Sequence, residues 1–226
     1  MIPDGMTRSR GPTLRAPVVL DLLRDDLPDA TIALTFTTRW ELLAATMLSA
    51  QSTDVKVNEV TRLLFVEIDG PEAMAEADLD HVEALIGSLG LFRQKAKNLQ
   101  ATARLLLERH GGQVPSTMEE LVALPGVARK TANVVLSNGF GINEGVVVDT
   151  HVARVSRRLR LTRHQDPRHI EQDLVRLFPR DRWLEVSDLF IHHGRRTCDA
   201  RRPRCEDCVV EVLCPSSQVA GLTDKR

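Results

Sequence analysis

Apolar residues recur three or four positions apart along almost the whole chain, and this period points to an all-α fold. Alternation of apolar and polar residues, the mark of a half-buried strand, is scarce. Only Gly145–Val148 offers a candidate strand, and it is too short to seed a sheet. The period predicts helices over Pro17–Asp26, Trp40–Leu48, Asp54–Phe65, Leu79–Ile86, Gln94–His110, Met118–Leu124, Lys130–Asn138, Thr150–Leu159, His169–Phe178 and Arg182–His193. Gly111-Gly112 closes the longest of these as a C-cap, and Ser116-Thr117-Met118-Glu119 reads as a capping box behind Pro115. Trp40 and Trp183 read as core anchors. Residues 1–16 carry Gly, Pro and Arg with no apolar run behind them, so they read as a disordered lead-in and not as a secretory signal.

At 226 residues the chain suits one large domain or two small ones, and the Gly-bearing turn at Phe140–Gly145 is the best boundary between them. No run approaches the roughly 18 to 20 apolar residues of a membrane span, which leaves the cytoplasm as the expected compartment. The net charge of −1 decides nothing by itself, but its distribution does. Acidic residues gather in Asp21–Asp29 and Glu67–Glu83, arginines in Arg154–Arg163 and Arg195–Arg204, and a locally basic face can follow phosphates on a neutral protein. Lysine is rare: only Lys56, Lys95, Lys97, Lys130 and Lys225 occur.

All four cysteines fall in Cys198-x6-Cys205-x2-Cys208-x5-Cys214. Disulfides are the bland reading, yet an intracellular protein rarely keeps them, and four thiolates on one tight loop can converge on a metal centre. Four-cysteine zinc sites commonly use two x2 pairs. One pair with wider arms suits an iron–sulfur cubane better, though zinc stays open. Between the first two cysteines, Arg201, Arg202 and Arg204 sit on a loop pinned at both ends. They are either solvated charges or phosphate contacts. His192-His193 just before this loop reads as packing or as a hydrogen bond toward it.

Leu124-Pro125-Gly126-Val127-Ala128-Arg129-Lys130 joins two predicted helices by a tight reversal. The second helix starts at once, so its unpaired N–H groups project from the tip and can seat a phosphate without reading bases. Lys130 falls in its first turn. Burial and the helix field would both favour its neutral amine, which could attack a sugar C1′ as a nucleophile; otherwise it is a phosphate-contacting lysine. Asp149, in Val148-Asp149-Thr150-His151, is a helix N-cap or a carboxylate that assists such an amine. His151 braces that aspartate or caps local backbone.

Taken in this order, the lysine hairpin, the Val-Asp-Thr-His segment and the cysteine loop closely resemble the endonuclease III family of helix–hairpin–helix DNA glycosylases, from about Ala30 through Cys214. The resemblance implies a six-helix barrel domain over 33–144. It also implies a helical iron–sulfur domain from 17–32 and 145–226, with a DNA-binding cleft between the two. It places the nucleophile at Lys130, the catalytic aspartate at Asp149, and [4Fe-4S] ligands at Cys198, Cys205, Cys208 and Cys214. DNA contacts are implied at Gly126, Ala128 and Arg129, the side chain that fills the gap of a flipped nucleotide at Gln51, and a wedge at Leu91; core packing is the plain alternative for Leu91 and a turn role for Gln51. The implied activity is base excision repair: removal of oxidised pyrimidines through a lysine Schiff base, with strand cleavage by β-elimination. The implied partner is damaged duplex DNA, met by a monomer near the nucleoid. Ala128 departs from the family, which has a second glycine there; a Cβ would weaken the grip if that position needs a positive φ. Two other readings are a monofunctional adenine glycosylase, which lacks the lysine, and a DNA binder without enzymatic activity.

Overall fold

The computed structural model describes residues 2–219; residue 1 and residues 220–226 of the expected organisation lie outside them. Among the described residues there are eleven α-helices and three short 3-10 turns, and no strand. Gly145–Val148 is an unpaired connecting segment. Its valines 146 and 147 are buried, and the Val147 N–H donates to Ser187 Oγ at 2.9 Å in place of a ladder partner.

The chain divides into two compact units, one from Ile32 to Glu144 and one built from the segments on either side of it. The middle unit holds α2 (Arg39–Leu48), α3 (Asp54–Glu67), α4 (Gly70–Glu76), α5 (Leu79–Ile86), α6 (Phe92–His110), α7 (Met118–Val122) and α8 (Arg129–Phe140). Its central helix is α2, in which every residue except Arg39 and Glu41 is buried; α3, α4, α6 and α8 pack around it. A complete capping box starts it, with Thr38 accepting from the Glu41 N–H while the Glu41 carboxylate accepts from the Thr38 N–H. Helix α6 buries Lys95, Ala96, Leu99, Thr102, Ala103 and Leu106, a stripe at helical spacing, and Gly111 at φ 57° ends it as the sequence predicts. Full burial of Leu99 and Leu106 contributes about 1.5–3 kcal/mol each.

Three local readings differ from the sequence expectation. The short helix α4 was not foreseen, because Gly70-Pro71 reads as a turn and its seven residues carry little period. Tertiary contacts hold it: Met74 is fully buried, and Arg104 and Gln100 of α6 donate to the carbonyls of Ala75 and Ala77. The capping box before α7 lies one residue later than expected: Thr117 is the N-cap, accepts from the Glu120 N–H, and its hydroxyl also bonds the Glu120 carboxylate.

The third difference concerns the expected lead-in over 1–16. In the flanking unit, α1 runs Pro12–Asp26, five residues earlier than Pro17 suggested, and Pro17 sits inside it. Arg15 accounts for this. Its buried guanidinium donates to the carbonyls of Arg10, Leu159 and Leu213 and ties the segment down, and Arg8 reaches Glu211 at 3.5 Å. Helices α9 (Thr150–Arg158), α10 (Pro167–Leu177) and α11 (Trp183–Arg196) complete this unit, whose core runs from Ala16, Leu20 and Leu23 through Val155 and Ile170 to Phe190.

Candidate nucleic-acid interface and cysteine centre

In the middle unit, Pro125-Gly126 reverses the chain between α7 and α8. Leu124 and Val127 are buried on either side of the reversal, and Thr102 Oγ1 donates to the Pro125 carbonyl at 3.0 Å. Gly126 has φ +79°, and a Cβ there would lie 2.5 Å from Asn98 Nδ2, so conformation and space both demand glycine. Ala128, the departure from the family pattern, is the N-cap of α8 at φ −88° and ψ 166°, ordinary extended backbone for any L-residue. The expected penalty of a Cβ at this position is therefore absent in conformational terms. Alanine also has no side-chain acceptor, so no cap occupies the first-turn N–H groups of α8, whereas Thr or Asp side chains cap α2, α3, α5 and α7. Arg129 is exposed and donates to the Glu144 carbonyl at 3.4 Å. Lys130, in that first turn, is exposed as well. This corrects the expectation of a buried amine.

Gln51 and Leu91 lie on two other loops of the same unit, and both hold left-handed backbone, at φ 55° and 58°. Such a conformation costs a Cβ-bearing residue roughly 1–2 kcal/mol. Both side chains are exposed, Leu91 to 61 %, so core packing is not the role of Leu91. The loops adjoin, since a Cβ on Gly90 would lie 3.6 Å from the Gln51 carbonyl oxygen. Lys95, unnoticed in the sequence, joins them. The residue is 7 % exposed, and its ammonium donates to the Leu48 carbonyl at 2.8 Å and Ser52 Oγ at 3.0 Å, tying the Gln51 turn to the helix that Leu91 begins. Burial lowers the pKa of this ammonium. A scarce lysine on the apolar face of α6 was the available signal.

In the flanking unit, Asp149 is the N-cap of α9 and half-buried; its Oδ1 accepts from the N–H groups of His151 and Val152, both at 2.8 Å. No side-chain hydrogen bond among the described residues falls on Oδ2. Arg154 Nη2 lies 3.1 Å from the His151 Nδ1, and burial foremost lowers the histidine pKa, against the opposing pull of the Asp149 charge. The hydrogen bond from His151 to Asp149 is made by its backbone N–H.

The four cysteines are free, half-buried, and line one common cavity. Burial pushes the Cys208 thiol up to about 12 and also raises Cys214. Arg158 Nη1 lies 3.2 Å from Cys198 Sγ and donates to the Cys198 and Asp199 carbonyls, while Nη2 donates to that of Ala200. His193 Nε2 lies 3.8 Å from Cys208 Sγ, and burial pushes this histidine down to about 4. His192 bonds the Thr31 carbonyl instead. Among the described residues no three His, Cys, Asp or Glu side chains are gathered to hold a single metal ion. On the loop, Asp199 Oδ1 accepts from the backbone N–H groups of Arg201 and Arg202, whose side chains are exposed. Arg204 differs: its guanidinium bonds the Arg196 carbonyl and fixes the loop.

Residues 44–180 match the model of the HhH-GPD superfamily of base excision DNA repair proteins, a span that includes the hairpin and Asp149 and ends before the first cysteine. Endonuclease III of Synechocystis sp. is 50 % identical over 91 % of this chain and 94 % of its own length. The chain belongs to the endonuclease III family. Solved members of the endonuclease III family share its fold as well. A non-covalent endonuclease III–DNA complex aligns at 39 % identity and a TM-score of 0.85, covering 90 % of this chain and 95 % of that one. A trapped endonuclease III–DNA covalent intermediate matches at the same identity and TM-score, over 90 % and 96 %. No helix of the described residues is long and apolar enough to cross a membrane.

Proposed function

We propose that Lys130 is the amine nucleophile, and Asp149 its carboxylate partner, in the base excision repair activity of this endonuclease III family enzyme, a DNA glycosylase and AP lyase. Oxidised pyrimidines are the proposed substrates. The observation that carries this reading is the tip of α8, where an exposed lysine sits in the first turn of a helix whose leading N–H groups no side chain caps. Backbone phosphates of duplex DNA would bind those N–H groups, with Gly126 and Arg129 beside them, which brings the amine to the sugar. DNA closing over Lys130 supplies the desolvation that the free protein lacks.

The chemistry follows from the amine. Its lone pair attacks C1′ as the C1′–N bond breaks, and the base leaves with a proton. Loss of the amine proton and opening of the sugar ring give the imine. Removal of a C2′ proton then expels the 3′-phosphate, which cuts the strand. Asp149 would balance positive charge at C1′ and move these protons through Oδ2, since Oδ1 serves as the helix cap. The solved relative trapped as a covalent DNA intermediate supports a covalent route.

Gln51 and Leu91 are proposed to fill the space left by the extruded nucleotide. Exposed side chains on strained backbone fit that role, because such strain persists where function requires a fixed direction. Cys198, Cys205, Cys208 and Cys214 are proposed to hold a [4Fe-4S] cluster. Four thiols that line one cavity suit a group held by four thiolates, and the Arg158 guanidinium and the His193 ring beside two of the sulfurs suit bound thiolates. When bound, the cluster supplies a cross-link that presents Arg201 and Arg202 to phosphate.

Borohydride added to the protein and a duplex carrying thymine glycol should trap a covalent adduct. Lys130→Ala should abolish it, and Asp149→Asn should slow it by at least about a hundredfold. An undiminished adduct in Lys130→Ala removes that residue from the mechanism. A monofunctional adenine glycosylase would give base release without an adduct, and a passive binder would give neither.

A further inference from the structure

A second cavity, of about 1290 Å³, lies wholly within the flanking unit and apart from the cysteines. Seven arginines line it: Arg8 and Arg10 of the leading segment, Arg15 of α1, Arg157 at the end of α9, Arg160 and Arg163 just after it, and Arg176 of α10. Among the described residues Asp173 is its only acidic lining residue, and that carboxylate already accepts from Thr162 Oγ1 at 2.6 Å. Glu211 is engaged at its edge by Arg8 and by Ser217 Oγ. So many guanidiniums facing one concavity repel one another unless an anion lies among them.

Two further features point to a ligand. Arg160 lines the cavity from left-handed backbone at φ 51°, which a Cβ-bearing residue adopts only against its preference. Arg15 is 2 % exposed; its Nε and Nη1 bond carbonyls, and Nη2 has no partner among the described residues. The walls also define the ligand by what they omit. Apart from His164 they carry no aromatic ring on which a base could stack, and one engaged carboxylate is no reader of sugar hydroxyls. A rigid duplex could touch the rim arginines but could not descend to Arg15.

We propose that this cavity binds the phosphate chain of a compact polyanion, through its charge and without reading a base. Tripolyphosphate and the triphosphate tail of any nucleotide share that chemistry. Bound there, the chain would bridge the leading segment, the α9–α10 connection and α10, and so stabilise the unit.

The test uses the intact protein in titration calorimetry at low salt, with tripolyphosphate, ATP, dCTP and a single-stranded oligonucleotide as separate probes. Tripolyphosphate and both nucleotides should bind within about threefold of one another and raise the Tm, weakening as salt rises. Arg163→Ser with Arg176→Ser, both exposed and without a hydrogen-bond partner among the described residues, should weaken tripolyphosphate at least tenfold; Arg160→Gly should do likewise while folding as well as the parent. Strand cleavage by these variants should match the parent. Failure of tripolyphosphate to bind, equal binding by both variants, preference for one nucleotide over tripolyphosphate, or binding of the oligonucleotide alone would each overturn the proposal. The last result would make the cavity a nucleic-acid track.

Discussion

Replacing Lys95 with Met separates loop positioning from stability. Methionine keeps an unbranched stem in the α6 face but removes the two hydrogen bonds to Leu48 O and Ser52 Oγ. Bonds from a charged donor contribute about 1.5–3 kcal/mol each, and an orphaned buried carbonyl costs about 1–3 kcal/mol. Against this, removing the ammonium of a residue only 7 % exposed returns a desolvation penalty of several kcal/mol. The two nearly cancel, so the global change should stay within about 1 kcal/mol, or roughly 2–4 °C in Tm for a chain of this size. The loop has no such compensation. Gln51 holds a conformation costing roughly 1–2 kcal/mol, and each 1.4 kcal/mol lost from its tether lowers the competent fraction about tenfold. Single-turnover excision of thymine glycol should therefore fall about 10- to 100-fold, with thermal unfolding almost unchanged. Undiminished excision, or a loss that tracks an equal loss of stability, would refute the reasoning.

Other consequences can be measured directly. Burial raises the Asp188 carboxyl to about 7, so its protonated form is favoured by folding. The sign is that stability is full below about pH 4 and is lost as the pH rises toward 7, by on the order of 2–4 kcal/mol; Asp188→Asn should flatten denaturant midpoints across that window, and an unaltered profile would contradict this. Gly126→Ala forces a Cβ against Asn98 at positive φ, so it should destabilise by about 1–3 kcal/mol and weaken undamaged-duplex binding in a gel-shift assay. Ala128→Gly, by contrast, should gain no affinity, because φ −88° already suits alanine. Leu91→Gly should raise stability by about 1 kcal/mol while lowering excision, two changes of opposite sign in one variant.

Where a side chain acts through its own helix, the sequence was readable. The stripe on α6, the Gly111 stop and the reversal at Pro125-Gly126 follow from local chemistry, and the observed bounds differ from the expected ones by a few residues at most. What escaped depends on distant partners. Helix α4 is held by side chains of α6, nearly thirty positions later, and the start of α1 by carbonyls almost two hundred positions away. Lys95 escaped for the same reason: its partners lie on another loop, and no spacing rule links residue 95 to residues 48 and 52. Ala128 shows the converse. A motif comparison flagged the missing glycine, but only the backbone angle could tell whether glycine was needed. Asp149 carries two meanings in one letter, a cap on Oδ1 and an oxygen to spare, which composition could never separate.

The unit that carries the cysteines is stitched from the first and last stretches of the described chain, with Arg15 reaching Leu213 across 198 positions. On a ribosome, α1 emerges before residues 32–144 and must wait, without its later neighbours, until the chain has been made as far as Leu213. Residues 32–144 meet no such delay and can settle in the interval. Bringing Arg15 to Leu213 across a preformed block also forfeits far less chain entropy than closing the same loop through an unfolded one. Assembly of the thiol pocket thus follows that of the middle unit, and a translation arrest between Glu144 and Cys214 leaves a hairpin-bearing block with an unmatched helix in front of it.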